Sequence, residues 1–326
     1  LEMRIRMLGS EHLEVAEIQN ALGYLYHDKN LYDKAQELYQ QSLETRKRIL
    51  GDKAHRGLAE SFQNLSVLYK DRALYSQAEQ FGKEALSMHK QLYGEVDYHV
   101  ASSLNALGTI YEDLGQYDEA ISVYRESLEI RRQIFEHNSP EIAVMLNNLA
   151  GALSNQKNHI EAEALYRDCL SICKDIYGDK HPSTASTLSN LGRTLKSLER
   201  YDESEKLYQE CLAIRKLLFG EDNSSIASSL SNLGELYLAQ KYYEQAESML
   251  QESIEMNKRY LGDKHPRIGV SMDNLAVIYG LQGDVVKAES FHRDAIAILV
   301  QSFGVEHPRT VQCRKNLEDL INDANE

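Results

Sequence analysis

The sequence predicts an all-α fold, an α-α solenoid of antiparallel helix pairs, on three observations. Leu65-Ser66, Leu107-Gly108, Leu149-Ala150, Leu191-Gly192, Leu233-Gly234 and Leu275-Ala276 recur at a stride of 42 residues, with Leu22-Gly23 one residue out of register. All four prolines (Pro140, Pro182, Pro266, Pro308) occupy one position of that repeat. Glycines recur just ahead of that position, at Gly51, Gly94, Gly178, Gly220, Gly262 and Gly304. A period of this size marks stacked supersecondary units, each burying its apolar face only against its neighbours.

The repeat from Tyr98 to Phe135 shows each element in turn. Leu104, Leu107, Gly108 and Tyr111 are apolar or small at helical spacing and define a first helix. Leu114-Gly115-Gln116 breaks it. The second helix opens on Tyr117-Asp118-Glu119-Ala120, whose acidic residues suit the positive end of the helix dipole. Val123, Tyr124, Leu128 and Ile130 form its buried side, and Arg131-Arg132 lie near its negative end. In the other repeats the second helix runs into glycine, which tolerates the left-handed conformation that closes a helix. His181-Pro182, His265-Pro266 and His307-Pro308 then start the next first helix, where proline's missing amide costs nothing. Helices of about 17 residues span roughly 25 Å and pack about 8–10 Å apart. Ala35, Ala78, Ala120, Ala162, Ser204, Ala246 and Ala288 are small enough for close approach within a pair.

Leu1–Gly9 aligns with Leu43–Gly51, so the chain is expected to open inside a second helix and to be a piece of a longer protein. The expected array is a single domain over 1–326. It holds the end of a preceding repeat at 1–9, then helix pairs at 10–52, 53–94, 95–136, 137–178, 179–220, 221–262 and 263–304. A lone helix at 305–326 follows, and its Glu318, Asp319 and Asp323 suit a polar end cap.

The net charge of −14 and the absence of any long Lys/Arg run argue against nucleic acid as a partner. Four cysteines do not make a disulfide framework. Cys169 and Cys211 stand where other repeats carry Ser42, Ala85, Ser127, Ser253 and Ala295, and read as small packing residues. Cys173 lies one turn from Cys169, and Cys313 stands alone. A reduced, cytoplasmic setting is expected. No apolar run approaches a membrane span, and no signal peptide is expected. No phosphate loop, nucleophile motif or Cys-His constellation points to an enzyme. No metal or cofactor is expected: His265 and His307 lie a whole repeat apart, too far to share an ion, and read as linker residues at helix starts.

Leu107-Gly108, Tyr111, Ala120 and Tyr124 together resemble the tetratricopeptide repeat. The tryptophan usual near its start is replaced by Phe62, Leu104, Leu146, Leu188 and Leu230. The stride of 42, the linkers Gly178–Pro182 and Gly262–Pro266, and Asn147–Ala150 are similar to the kinesin light chain and nephrocystin-3 type arrays. The resemblance implies a right-handed superhelix whose first helices line a concave groove. The groove-facing positions are then the two residues before the motif leucine and those two and five after it.

Asparagine recurs just before that leucine, at Asn64, Asn148, Asn190, Asn232, Asn274 and Asn316, and one residue earlier at Asn20, Asn105 and Asn147. Asparagine is unfavourable in mid-helix, so its repetition needs a cause. Either the amides grip the backbone of an extended peptide, as in the arrays it resembles, or they bond neighbouring helices to one another. The variable positions Lys70, Arg193, Lys196 and Glu235 would give selectivity, with Arg193 and Lys196 forming a basic spot suited to an acidic side chain. The function expected is a non-enzymatic scaffold that binds a peptide segment of a partner protein, as an adaptor does. The alternative is a regulatory or sensor region of a larger signalling protein, packing on its own domains or self-associating.

Overall fold

The computed structural model describes residues 1–51 and 53–325. Residue 52, the last of the first expected pair, and residue 326, the last of the expected cap, lie outside the described residues. The described residues form sixteen helices and no strand. In chain order these are α1 (Glu2–Leu8), α2 (Leu13–Asp28), α3 (Tyr32–Leu50), α4 (Arg56–Asp71), α5 (Tyr75–Tyr93), α6 (Tyr98–Asp113), α7 (Tyr117–Ile134) and α8 (Pro140–Asn155). They continue as α9 (His159–Tyr177), α10 (Pro182–Ser197), α11 (Tyr201–Phe219), α12 (Ser224–Ala239), α13 (Tyr243–Leu261), α14 (Pro266–Leu281), α15 (Val285–Phe303) and α16 (Pro308–Asn325). Two compact units hold them, Leu1–Ile172 and Cys173–Glu326, divided inside α9.

One helix-start device recurs. A side chain in extended backbone accepts the amide of the residue two or three further on: Asp97 Oδ1 takes His99 N–H at 2.7 Å, and His181 Nδ1 takes Ser183 N–H at 3.1 Å. His265 and His307 do the same at 3.3 and 3.2 Å. The linker histidines are therefore N-caps. Two of their rings also stack on the aromatic that ends the preceding helix, Tyr177 on His181 at 4.4 Å and Phe303 on His307 at 4.3 Å.

The turn inside each pair is equally regular. The second residue after the first helix takes a left-handed conformation, and the next amide reaches back to the carbonyl five residues earlier, as Leu74 N–H does to Tyr69 O at 2.8 Å. Glycine fills that position only at Gly115 and Gly283. Asn30, Ala73, Lys157, Glu199 and Lys241 adopt positive φ there, from 57 to 71°.

Within a pair, the motif glycine lets a second-helix ring lie against bare backbone. A Cβ on Gly108 would fall 2.3 Å from the Tyr124 ring, and one on Gly192 would fall 2.8 Å from Tyr208. Ser42, Ser127 and Ser253 each donate to an alanine carbonyl of the first helix (Ala16, Ala101, Ala227) at 2.7 Å. Cys169 sits at the same position and bonds Ala143 O at 3.2 Å, and all four cysteines are free and buried. In the first unit Tyr39, Leu58, Phe62, Leu65 and Leu68 lie at the core; in the second, Leu250, Ile268, Leu275 and Ile278 do. Phe62, Leu104, Leu146, Leu188 and Leu230, the residues standing in for tryptophan, are all buried.

Candidate functional site

Within each unit successive first helices touch: α2 with α4 and α4 with α6, then α10 with α12, α12 with α14 and α14 with α16. Among the described residues no second helix meets the next to a similar extent. The first helices therefore line the closely spaced side of each unit. On them the positions around the motif leucine are half-buried, including Asn64 and Lys70 on α4, Asn105 on α6, and Asn147 and Asn148 on α8. In the second unit Asn190 and Lys196 on α10, Asn232 and Glu235 on α12 and Asn274 on α14 are half-buried, and Arg193 is exposed.

Several of these asparagines face one another. Asn64 Nδ2 donates to Asn20 Oδ1 at 3.1 Å, and Asn148 Nδ2 to Asn105 Oδ1 at 3.0 Å. In the second unit Asn232 Nδ2 donates to Ser189 Oγ at 2.9 Å, and Asn316 Nδ2 to Asp273 Oδ2 at 3.0 Å. Each such bond is a rung from one first helix to the one before it. An amide carries two donor hydrogens and an acceptor oxygen, so a rung uses one part of each side chain. Asn274 makes no such rung. Its Nδ2 is buried without a partner, while Ser231, the residue it would meet, pairs with Ser271 at 3.3 Å.

The charged positions are also partly engaged. Lys196 Nζ lies 2.7 Å from Glu235 Oε2, so the expected basic spot holds a matched ion pair beside the exposed Arg193. Lys70 lies among acids: Asp71, itself 2.9 Å from His27 Nε2, and Asp113. Burial, with Asp71 adding to it and Lys70 opposing, holds the Asp113 carboxyl above its ordinary range.

A cleft of about 400 Å³ opens on this face of the second unit, lined by Ser231, Asn232, Glu235, Asn257, Arg267 and Arg309 among others. Its floor comes from a position that reading only the first helices misses. Arg46, Arg131 and Arg215 occupy the same place in other second helices. Arg46 donates to Gly57 O and to Ser61 Oγ, and Arg215 to Ser225 O and Ser229 Oγ at 2.9 and 2.8 Å, tying each pair to the next. Asn257 is too short for that span. It is 1% exposed, and its Oδ1 has no partner. The arginine pattern also breaks at His89, Cys173 and Leu299, so the sequence alone did not single out Asn257.

A sequence profile of the tetratricopeptide repeat matches residues 14–91, 57–133, 99–154, 141–217 and 225–299. The chain belongs to the tetratricopeptide-repeat family. No curated protein sequence matches it. Among solved structures, this tetratricopeptide array is similar to repeats from Podosopora anserina described as a candidate kinesin light chain, at 18% identity and a TM-score of 0.58, covering 64% of this chain and 99% of that one. It is also similar to a Rap protein complexed with competence and sporulation factor, at 13% identity and a TM-score of 0.57, covering 96% and 99%. A third likeness is a signal-transduction ATPase with a tetratricopeptide repeat sensor from Pyrococcus horikoshii, at 17% identity and a TM-score of 0.60, covering 96% of this chain and 45% of that one. At these identities the likeness is one of fold. Among the described residues no helix is long and apolar enough to cross a membrane.

Proposed function

We propose that this chain is a non-enzymatic protein-interaction scaffold that holds a peptide segment of a partner against its first-helix face, as an adaptor does. The observation that carries the reading is two unpartnered buried amide atoms of the second unit, Asn257 Oδ1 on α13 and Asn274 Nδ2 on α14, where Asn232 and Asn316 are bonded. A buried polar atom left unpaired costs roughly 1–3 kcal/mol, and a peptide backbone offers both the donor and the acceptor these atoms lack. Arg267 and Arg309 beside Asn257 suit an acidic side chain on the same peptide. Asn190, Arg193, Lys196, Asn232 and Glu235 supply the rest of the contact surface of the second unit, and Asn64, Lys70, Asn105, Asn147 and Asn148 offer a like surface on the first. Four free, buried cysteines support a reducing, cytoplasmic setting. The likeness to an array that serves as a sensor in a larger ATPase supports the alternative, in which the segment bound belongs to the same protein.

Selection from a library of random short peptides tests the first reading. The chain should enrich peptides that are lost on Asn257→Arg, which fills the cleft with the side chain used at Arg46 and Arg215, and weakened by Asn190→Ala with Asn232→Ala. Equal enrichment on these variants, with helix content retained by circular dichroism, overturns it.

A further inference from the structure

The last helix pair and α16 depart from the repeat pattern at three positions that meet in space. Asp273 stands where the other repeats carry Asn20, Gln63, Asn105, Asn147, Ser189 and Ser231. His292 stands where they carry Tyr39, Gly82, Tyr124, Tyr166, Tyr208 and Leu250. Cys313 stands where they carry Ser61, Ser103, Met145, Thr187, Ser229 and Ser271. Elsewhere these positions hold an amide or hydroxyl, a tyrosine, leucine or glycine, and a small or apolar residue. Here alone they become a carboxylate, an imidazole and a thiol, one from each of α14, α15 and α16.

We propose that Asp273, His292 and Cys313 bind a divalent transition ion of the zinc class. Their ligand atoms all lie within 4.8 Å of one another. His292 Nδ1 is 2.8 Å from Asp273 Oδ1, and Asn316 Nδ2 holds the second carboxylate oxygen at 3.0 Å. Zinc takes nitrogen and oxygen at about 2.0 Å and thiolate sulfur at about 2.3 Å in a tetrahedron, so its ligand atoms sit about 3.3–3.5 Å apart. Reaching that spacing requires Nδ1 and Oδ1 to part by about half an ångström and the sulfur to close in by about one. Small side-chain rotations on three separate helices supply both.

The charges fit as well. His292 and Cys313 are 1% and 0% exposed, and Asp273 is half-buried. A carboxylate in such a place is costly unless compensated. A dication balances one carboxylate and one thiolate, leaving the site neutral; the thiol proton passes to water as the metal–sulfur bond forms. Asn316, itself fixed by Gln312 at 2.8 Å, orients the carboxylate as residues behind metal ligands do. His292 and Asn316 also line an adjoining cleft with Asp319 and Asp323, from which water can supply the fourth ligand. Hydrogen bonding explains the histidine and the asparagine; the thiol lies beside the Asp273 carboxyl, and its bond to His292 O is long, at 3.8 Å.

The test adds cobalt(II) and zinc(II) to the full chain, with the variants Cys313→Ser, His292→Tyr and Asp273→Asn. Each substitution restores what sister repeats carry at that position, so the fold is kept; circular dichroism checks it. Cobalt should bind one ion per chain with a thiolate-to-cobalt charge-transfer absorption, and zinc should displace it and raise the melting temperature. The absorption should vanish in Cys313→Ser and persist in Cys211→Ser, and affinity should fall about 10–100-fold in Asn316→Ala. No charge-transfer absorption, or one that survives Cys313→Ser, overturns the site. If Cys313→Ser fails to fold, cobalt affinity unchanged in His292→Tyr and Asp273→Asn overturns it equally.

Discussion

At the scale of single residues the pair turn carries its own stability test. Ala73 holds φ at 57° with a Cβ attached, a conformation that costs an ordinary residue roughly 1–2 kcal/mol. Glycine avoids that cost but loses about 0.5–1 kcal/mol more backbone entropy on folding. Ala73→Gly should therefore stabilise the chain by about 0.5 kcal/mol, read as a higher urea midpoint at unchanged slope. His89 supplies a pH dependence. It is buried at an arginine position of the repeat, with Nδ1 2.8 Å from Ser103 Oγ. Burial, reinforced by His99 and opposed by Asp97 and Glu60, lowers its pKa below the ordinary 6.5. The unfolded chain therefore takes up this proton first as pH falls. The group's contribution is intact above pH 6.5 and shrinks as the solution is acidified below it. Melting temperatures between pH 7 and pH 5 should drop less in His89→Gln than in the parent chain.

At the scale of elements the pair rests on one ring against one glycine. Tyr124 is fully buried over Gly108, and Tyr124→Ala should cost about 3–5 kcal/mol, as large aromatic truncations do. Chemical denaturation should show it, with Tyr117→Ala, at a half-buried position of the same helix, costing far less. This pairing was legible in the sequence because Leu-Gly and the aromatic recur at fixed spacing, and periodic apolar residues report packing directly. The turns were less legible. Glycine announces a left-handed residue at Gly115, but Lys157, Glu199 and Lys241 do so only through the surrounding backbone bonds. The capping histidines read as linkers because imidazole is an uncommon N-cap. The asparagine rungs were foreseen only as one of two readings, since an amide's partner depends on helix spacing that sequence does not state. The cleft at Asn257 escaped for a different reason: it arises from a side chain too short to reach its neighbour, and pattern reading registers residues present rather than reach lost.

At the scale of the whole molecule, stability is local in each unit, because every pair packs on its neighbours alone. Helix α1 buries no residue, whereas α4 and α6 bury half or more of theirs. Hydrogen exchange by mass spectrometry should find α1 amides replaced fastest and those of α4 and α6 slowest; uniform protection across these helices would contradict a nearest-neighbour array. The rungs between first helices carry one more implication, for how such a chain can change over generations. Asn64 to Asn20 and Asn148 to Asn105 join the same two seats in successive modules. A recombination that cut out or duplicated a whole module would hand most old acceptors an asparagine at the donor seat, and those rungs would form again. Asp273 is the seat that cannot be traded. Its module carries His292, but Asn316 comes from α16, so parting the two would leave one carboxylate oxygen without its donor, and the last segment of the chain should travel only as a block.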